Sequence, residues 1–223
     1  MKRGFLTTLV FGLIGFAILI ALGLWQMGRI PQKETEIAQI EAMIYDAPVA
    51  LPLTLDPEVD EYRPVHVRGT LGAAELHVLV SSRDFGAGFR IIAPLTLEDG
   101  RTVMLDRGYV PTAAKEAARS MGDVEVVGNL QWPDERDRFI PQDDPVADYW
   151  YARDVTKMAQ ALEAAPILIV AQESTGTGIL PLPVSVAAIP NNHFSYMVQW
   201  FLFAAVWFGM TSLLLWRMRA RRG

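Results

Sequence analysis

Residues 5–25 read FLTTLVFGLIGFAILIALGLW and residues 194–216 read FSYMVQWFLFAAVWFGMTSLLLW, 21 and 23 residues without a charged side chain. A helix rises 1.5 Å per residue, so roughly 20 residues cross the roughly 30 Å hydrocarbon core of a bilayer, and both stretches are long enough. Each is expected to be a transmembrane helix. A cleaved signal peptide also fits Lys2 and Arg3 followed by an apolar run. Its apolar core is usually only about 7–15 residues, however, and no small-x-small cleavage site follows the run before Trp25, Gln26 and Arg29. The first span is therefore read as a retained anchor.

Charge orients the two spans. Lys2 and Arg3 precede the first, and Arg217, Arg219, Arg221 and Arg222 follow the second, which places both termini in the cytoplasm. All 25 acidic residues lie between Glu34 and Glu173, against 14 basic residues in the segment between the two basic tails, a net of −11. That balance argues against nucleic acid, whose binding rests on clustered Lys and Arg. The chain has no cysteine, which removes thiolate metal sites, covalent haem attachment and cysteine nucleophiles. A domain of roughly 165 residues without disulfides must rely on its own apolar core, and it is long enough to have one.

Inward from the first span, Ile37, Ile40, Met43 and Ile44 recur at helical spacing among charged residues, which predicts a helical stalk over about 26–45 that Pro31 interrupts. Pro48, Pro52, Pro57 and Pro64 then end helical structure. From Arg63 to about Trp132 the period falls to two: Val65, Val67 and Leu71, then Leu76, Val78 and Val80, then Phe89 and Ile91, Val103 and Leu105, Val124 and Val126. With a turn at Glu98-Asp99-Gly100, this predicts antiparallel sheet. Short helices are expected over Pro111–Ser120 and over Asp154–Ala164, the second with Asp154 as N-cap. The apolar run 166–171 reads as a buried strand.

Histidine 193, in Pro190-Asn191-Asn192-His193-Phe194, falls where the chain enters the second span, with Asn191 or Asn192 able to cap the helix. At 100° per residue Met197, Trp200, Ala204, Trp207 and Thr211 line up beneath it. A flat, apolar macrocycle can lie on such a stripe while neutral imidazole ligates its metal. The plainer reading is an interfacial histidine above a helix-packing face, and spacing leaves both open. Gln199 lies about 120° away and is expected to bond the first helix. On that helix Trp25 and Arg29 are four apart and able to stack, and Arg29 can meet an anionic group at the membrane rim; ordinary interfacial anchoring explains both residues equally well.

Other polar residues point to no chemistry. His66 and His77 lie on predicted strands without convergent ligands and read as plain sheet residues. Asp106-Arg107-Gly108-Tyr109 reads as a strand end and tight turn in which the charges pair or cap. Asp143, Asp144 and Asp148 can meet a hard cation, but their spacing is not that of a calcium loop. No nucleophile elbow, P-loop or dinucleotide fingerprint is present, and an enzyme is not expected.

The segments Gly23-Leu24-Trp25-Gln26 with Arg29, Tyr62-Arg63-Pro64-Val65 with Gly69, and Gly88-Phe89-Arg90 occur in that order. They are followed by Asp106-Arg107-Gly108-Tyr109-Val110-Pro111, Phe139-Ile140-Pro141 through Asp144-Pro145, Trp150-Tyr151 with Arg153-Asp154, and Asn191-Asn192-His193. Over essentially its whole length the chain resembles the Surfeit-locus-one family. Tyr109 stands where many relatives have Trp, and Phe194-Ser195-Tyr196 varies the residues after the histidine. The resemblance implies an assembly factor for haem–copper cytochrome c oxidase that binds haem a and delivers it to, or stabilises, the catalytic subunit I. His193 is then the implied haem a ligand, with Trp25, Arg29, Met197 and Trp200 around it and no metal beyond the haem iron.

Implied partners are subunit I, the haem a synthesis machinery and the lipid bilayer, in the inner membrane of a bacterium with the central domain periplasmic. The alternative is a membrane-anchored scaffold that binds the oxidase subunit without haem, using Trp25, Gln26, Met197 and Trp200 as a protein interface. The expected fold is an α+β membrane protein, with two terminal transmembrane helices flanking a mainly antiparallel-β extracytoplasmic domain with short helices. Its expected segments are residues 1–4 in the cytoplasm, 5–25 and 194–216 in the membrane, 26–193 outside it, and 217–223 as a basic tail.

Overall fold

The computed structural model describes residues 2–82 and 84–220. Arg221 and Arg222, two of the residues that orient the second span by charge, lie outside the described residues. The chain forms two compact units. One comprises residues up to Gln39 together with those from Val186 onward, and the other is Ile40–Ser185.

The first unit holds two long helices, α1 (Lys2–Ile44, whose last turn belongs to the other unit) and α4 (His193–Ala220). Both are long and apolar enough to cross a membrane, and only 6% of the most apolar window of each is buried by the rest of the chain, unlike the core helix of a soluble domain. They run antiparallel. A Cβ built at Gly4 lies 3.9 Å from Met218, one at Gly12 meets Thr211, one at Gly15 meets Trp207, and one at Gly23 meets Phe201. Small residues on α1 thus admit large side chains of α4, the usual way helices approach closely where lipid offers no hydrophobic drive. Pro31 does not interrupt α1, which continues through it to Ile44. Proline removes only its own backbone donor, a loss that a long helix can tolerate, and Thr35 Oγ1 adds a bond to Pro31 O at 2.8 Å.

The second unit is a barrel-like sheet built from β2 (Pro64–Leu71), β3 (Leu76–Ser82), β4 (Gly86–Leu97), β5 (Thr102–Pro111), β6 (Gly122–Gln131) and β7 (Leu168–Ala171), with the short β1 (Val49–Ala50) at one edge. The order is β1-β2-β6-β7-β5-β4-β3, and an added β2–β4 pairing closes β2, β6, β7, β5 and β4 into a ring. Pairing is antiparallel except β5–β7 and β1–β2. Closure needs Gly69: a Cβ there would stand 2.4 Å from Thr96 O where β2 turns onto β4. Inside the ring Val65, Val67, Leu95, Val103, Leu105, Leu130 and Ile169 form the core, and Val65, Val67, Val103 and Leu105 are among the alternate residues that the period of two picks out.

Three local expectations are corrected. Pro111–Ser120 forms no α-helix, only a 3₁₀ turn at Thr112–Ala114. Arg119 Nη2 donates to the carbonyls of Ala114 and Lys115 at 2.7 and 2.8 Å, and His77 shares the latter. Acceptors that a helix would use are thereby taken by side chains, one local and one from β3. Asp106-Arg107-Gly108-Tyr109 is not a strand end but a β-bulge within β5: Ile91 pairs with Gly108 and Ile92 with Asp106, leaving Arg107 unpaired in the ladder. Gly108 has φ +115 and approaches Leu180 O too closely for a side chain, as such bulges require. Among the prolines, Pro57 does not exclude a helix but opens the one-turn α2 (Pro57–Asp60), capped by Asp56. The helix expected at 154–164 is α3 (Val155–Ala161), and Asp154 Oδ1 accepts from Lys157 N at 3.1 Å.

Candidate functional site

The first helical hydrogen bond of α4 runs from Tyr196 N to Asn192 O, 3.0 Å, which makes Asn192 the residue at the helix entry and His193 the first residue of the helix. Because α1 and α4 are antiparallel, His193 meets the far end of the α1 span, opposite the end that carries Arg3, Arg217 and Arg219. His193 Nδ1 and Gln26 Oε1 are 2.8 Å apart, bridging residues 167 positions apart in sequence. Gln26 is only 8% exposed and is the one buried polar side chain among the described residues of α1 and α4. Nε2 of His193 makes no hydrogen bond to the described residues, and the ring is half-buried.

The stripe beneath His193 divides. Ala204 is 1% exposed, Thr211 and Trp207 pack on Gly12 and Gly15, and Trp207 Nε1 donates to Gly12 O at 2.9 Å. This lower part is the helix–helix interface, so no macrocycle can lie along it. Met197 and Trp200, nearer the histidine, are half-buried, with Trp200 edge-on to Phe203 at 6.0 Å. Trp25 is 58% exposed. Arg29 is also exposed and bonds Gln32 Oε1 at 2.8 Å instead of stacking on Trp25. Gln199 is exposed as well, and the bond to the first helix is made by His193 and Gln26 instead.

As a metal-ligand set this is one imidazole, with one nitrogen held by a protein oxygen and the other unengaged, beside an exposed indole and an exposed guanidinium. The residues present would fit a haem held by one imidazole, with Arg29 available to an anionic group. An apolar recess of about 360 Å³ lined by Thr8, Phe11, Trp207 and Met210 lies toward the basic end of the helices and contains no histidine.

The β unit carries charged clusters that the sequence did not disclose. Arg90 Nη1 and Asp106 Oδ2 are 2.6 Å apart, and Arg153 lies 3.9 Å from the same carboxylate and 2.5 Å from Glu135. Burial lowers the Arg153 pKa, but the Glu135 hydrogen bond and charge, with Asp106, raise it further, so it stands above the ordinary value. Burial likewise raises Glu135, and Arg153 outweighs that, leaving it depressed. Arg107 is fully buried and donates to Glu75 Oε1, Thr175 Oγ1 and Ser120 O at 3.0–3.1 Å. Burial lowers its pKa more than Glu75 restores it.

His77 is not a plain sheet residue. It is buried, its Nδ1 bonds Asp148, and its Nε2 is 3.0 Å from Lys115 O. His66 is partly exposed and pairs with Glu125 at 2.6 Å. Asp143 bonds Arg136 and Tyr151 N, while Asp144 accepts from Val146 N and Ala147 N. Among the described residues no three His, Asp or Glu side chains gather as a metal site. The signal in sequence for the first cluster was the trio Arg90, Asp106 and Arg153, scattered over three of the motifs quoted above.

A model of the SURF1 family matches residues 13–205, from within α1 through the barrel into α4. The chain is 32% identical over 207 residues to Surfeit locus protein 1 of Xenopus tropicalis, covering 81% of this chain and 67% of that protein. It is 31% identical over 227 residues to a SURF1-like protein of Monosiga brevicollis, covering 92% and 85%. To Surfeit locus protein 1 of Homo sapiens it is 29% identical over 215 residues, covering 84% and 72%.

Proposed function

The chain belongs to the SURF1 family, and on that premise we propose that it is an assembly factor for haem–copper cytochrome c oxidase that binds haem a through His193 and passes it to the catalytic subunit I. The supporting observation is a single histidine at the mouth of a helix pair, one ring nitrogen tied to Gln26 and the other without a partner among the described residues. Haem, when bound, supplies an iron centre for the oxidase; the chain's own part is to hold and orient the imidazole. One protein ligand, with no second donor within the described site, suits a group that must leave again. Trp25, Arg29, Met197 and Trp200 are the residues that would surround such a group. The chain itself performs no chemical step.

The antiparallel helices bring Gly4 against Met218, so the basic ends share one face. By the positive-inside rule that face is cytoplasmic, which puts the barrel in the periplasm of a bacterial inner membrane. The haem a synthesis machinery and subunit I are the partners this placement serves. A scaffold that never touches haem is favoured only by the exposed apolar run Leu24, Trp25 and Met27, since Gln26 is buried against His193 and cannot meet a partner.

The test compares haem a content and oxidase activity for wild type and His193→Ala, expressed at matched levels in a host lacking its own copy. Loss of bound haem a together with a fall in oxidase is expected. Unchanged haem, or none in either protein while oxidase persists, would return the scaffold.

A further inference from the structure

From the Gln26–His193 contact we infer that Gln26 is a positioning residue: its side-chain carbonyl fixes His193 as the Nδ1–H tautomer and leaves the Nε2 lone pair as the only nitrogen presented outward. The use of that lone pair for haem iron rests on the reading above; the tautomer does not.

Nδ1 lies 2.8 Å from Gln26 Oε1, an amide carbonyl that can only accept, so the proton of the contact belongs to the imidazole. A neutral imidazole carries one N–H, and placing it on Nδ1 leaves Nε2 bare. Turned the other way, the amide would donate to Nδ1 and put the ring proton on Nε2, and neither nitrogen would then be free to ligate. Free histidine prefers the Nε2–H form, so the tautomer required for outward ligation through Nε2 is the one that needs help.

Gln26 is placed to give it. The residue is 8% exposed, and it lies just beyond Gly23, whose missing side chain lets Phe201 seat against α1 and draws the helix ends together. Metal-bound histidines characteristically donate their second nitrogen to a carbonyl or carboxylate, which fixes the ring and raises its basicity. The contact has that form, and the acceptor side chain is buried.

The direct test needs no haem. The full-length protein, labelled with ¹⁵N-histidine and held in lipid nanodiscs, has three histidines, and His193→Gln assigns the signal of interest. Wild type is expected to show protonated Nδ1 and bare Nε2 at His193. Gln26→Leu should move the signal toward the Nε2–H form, and Gln26→Glu, which keeps an acceptor, should hold it. A protonated Nε2 in wild type, or a tautomer indifferent to Gln26→Leu, overturns the assignment. A role confined to tying the helices together would not move the tautomer.

Titration with haem a forms the second arm. Gln26→Leu should weaken binding about 10- to 100-fold, the usual cost of losing such a partner, with recovery in Gln26→Glu. Equal affinity in all three proteins overturns a positioning role in ligation. Haem a binding that survives His193→Ala refutes the haem reading alone and leaves the tautomer result standing.

Discussion

At the scale of single residues, His77 shows how much a side chain's meaning depends on its partners. Both its nitrogens face acceptors, the Asp148 carboxylate and the Lys115 carbonyl. Nearby charges are Lys115, whose ammonium lies 4.5 Å from the Tyr149 ring centre, and Arg119, which shares the Lys115 carbonyl. Burial raises the Asp148 pKa, but the His77 hydrogen bond and charge lower it further, so it ends below the usual carboxylate value. A depressed folded pKa means that the bond stabilises the protein above the unfolded value and is lost as pH falls through the folded one. Asp148→Asn is therefore expected to cost about 1.5–3 kcal/mol near neutral pH, the range for a hydrogen bond to a charged group. Urea unfolding of both proteins across pH should show the difference vanish in acid. A gap independent of pH would mean that packing, not charge, is what the substitution removes.

Between elements, the decisive contact is α1 against α4. The chain has no cysteine, so engineered pairs report proximity without background. A Cβ built at Gly12 lies 3.2 Å from Thr211 Cβ, close to the roughly 3.5–4.5 Å a disulfide spans. Gly12→Cys with Thr211→Cys should cross-link under mild oxidation and change mobility on a non-reducing gel. Gly15→Leu in that background should cut the yield several-fold, because the new side chain meets the Trp207 ring. Efficient cross-linking with Gly15→Leu present would show that the helices do not seat through these glycines. The same seating explains why half of the aromatic stripe under His193 is unavailable to a cofactor: Trp207 and Thr211 are already packed.

For the whole molecule, the question is which side of the membrane each part occupies. The basic ends of the two helices lie together, and the barrel unit, between the helices in sequence, carries the acidic excess. Protease added outside spheroplasts should cut the barrel unit in the loop holding Phe139 and Val146, which are 77% and 99% exposed, while a C-terminal reporter stays protected. A reporter digested from outside would reverse the proposed orientation.

Some of this structure follows from the sequence alone, because its causes are local. An uncharged stretch of 21 or 23 residues can satisfy its backbone in lipid only as a helix, and the alternation from Val65 to Val126 has one face to bury. Asp154 caps α3 through a bond within its own turn. Ring closure by β2 on β4, the Arg107 bulge, the Lys115 carbonyl that His77 takes from a would-be helix, and the choice of His193 over Gln199 as the partner of the first helix were decided by tertiary structure. Each joins groups far apart in the chain, 167 positions for His193 and Gln26, and residue spacing carries information only about neighbours a few positions away.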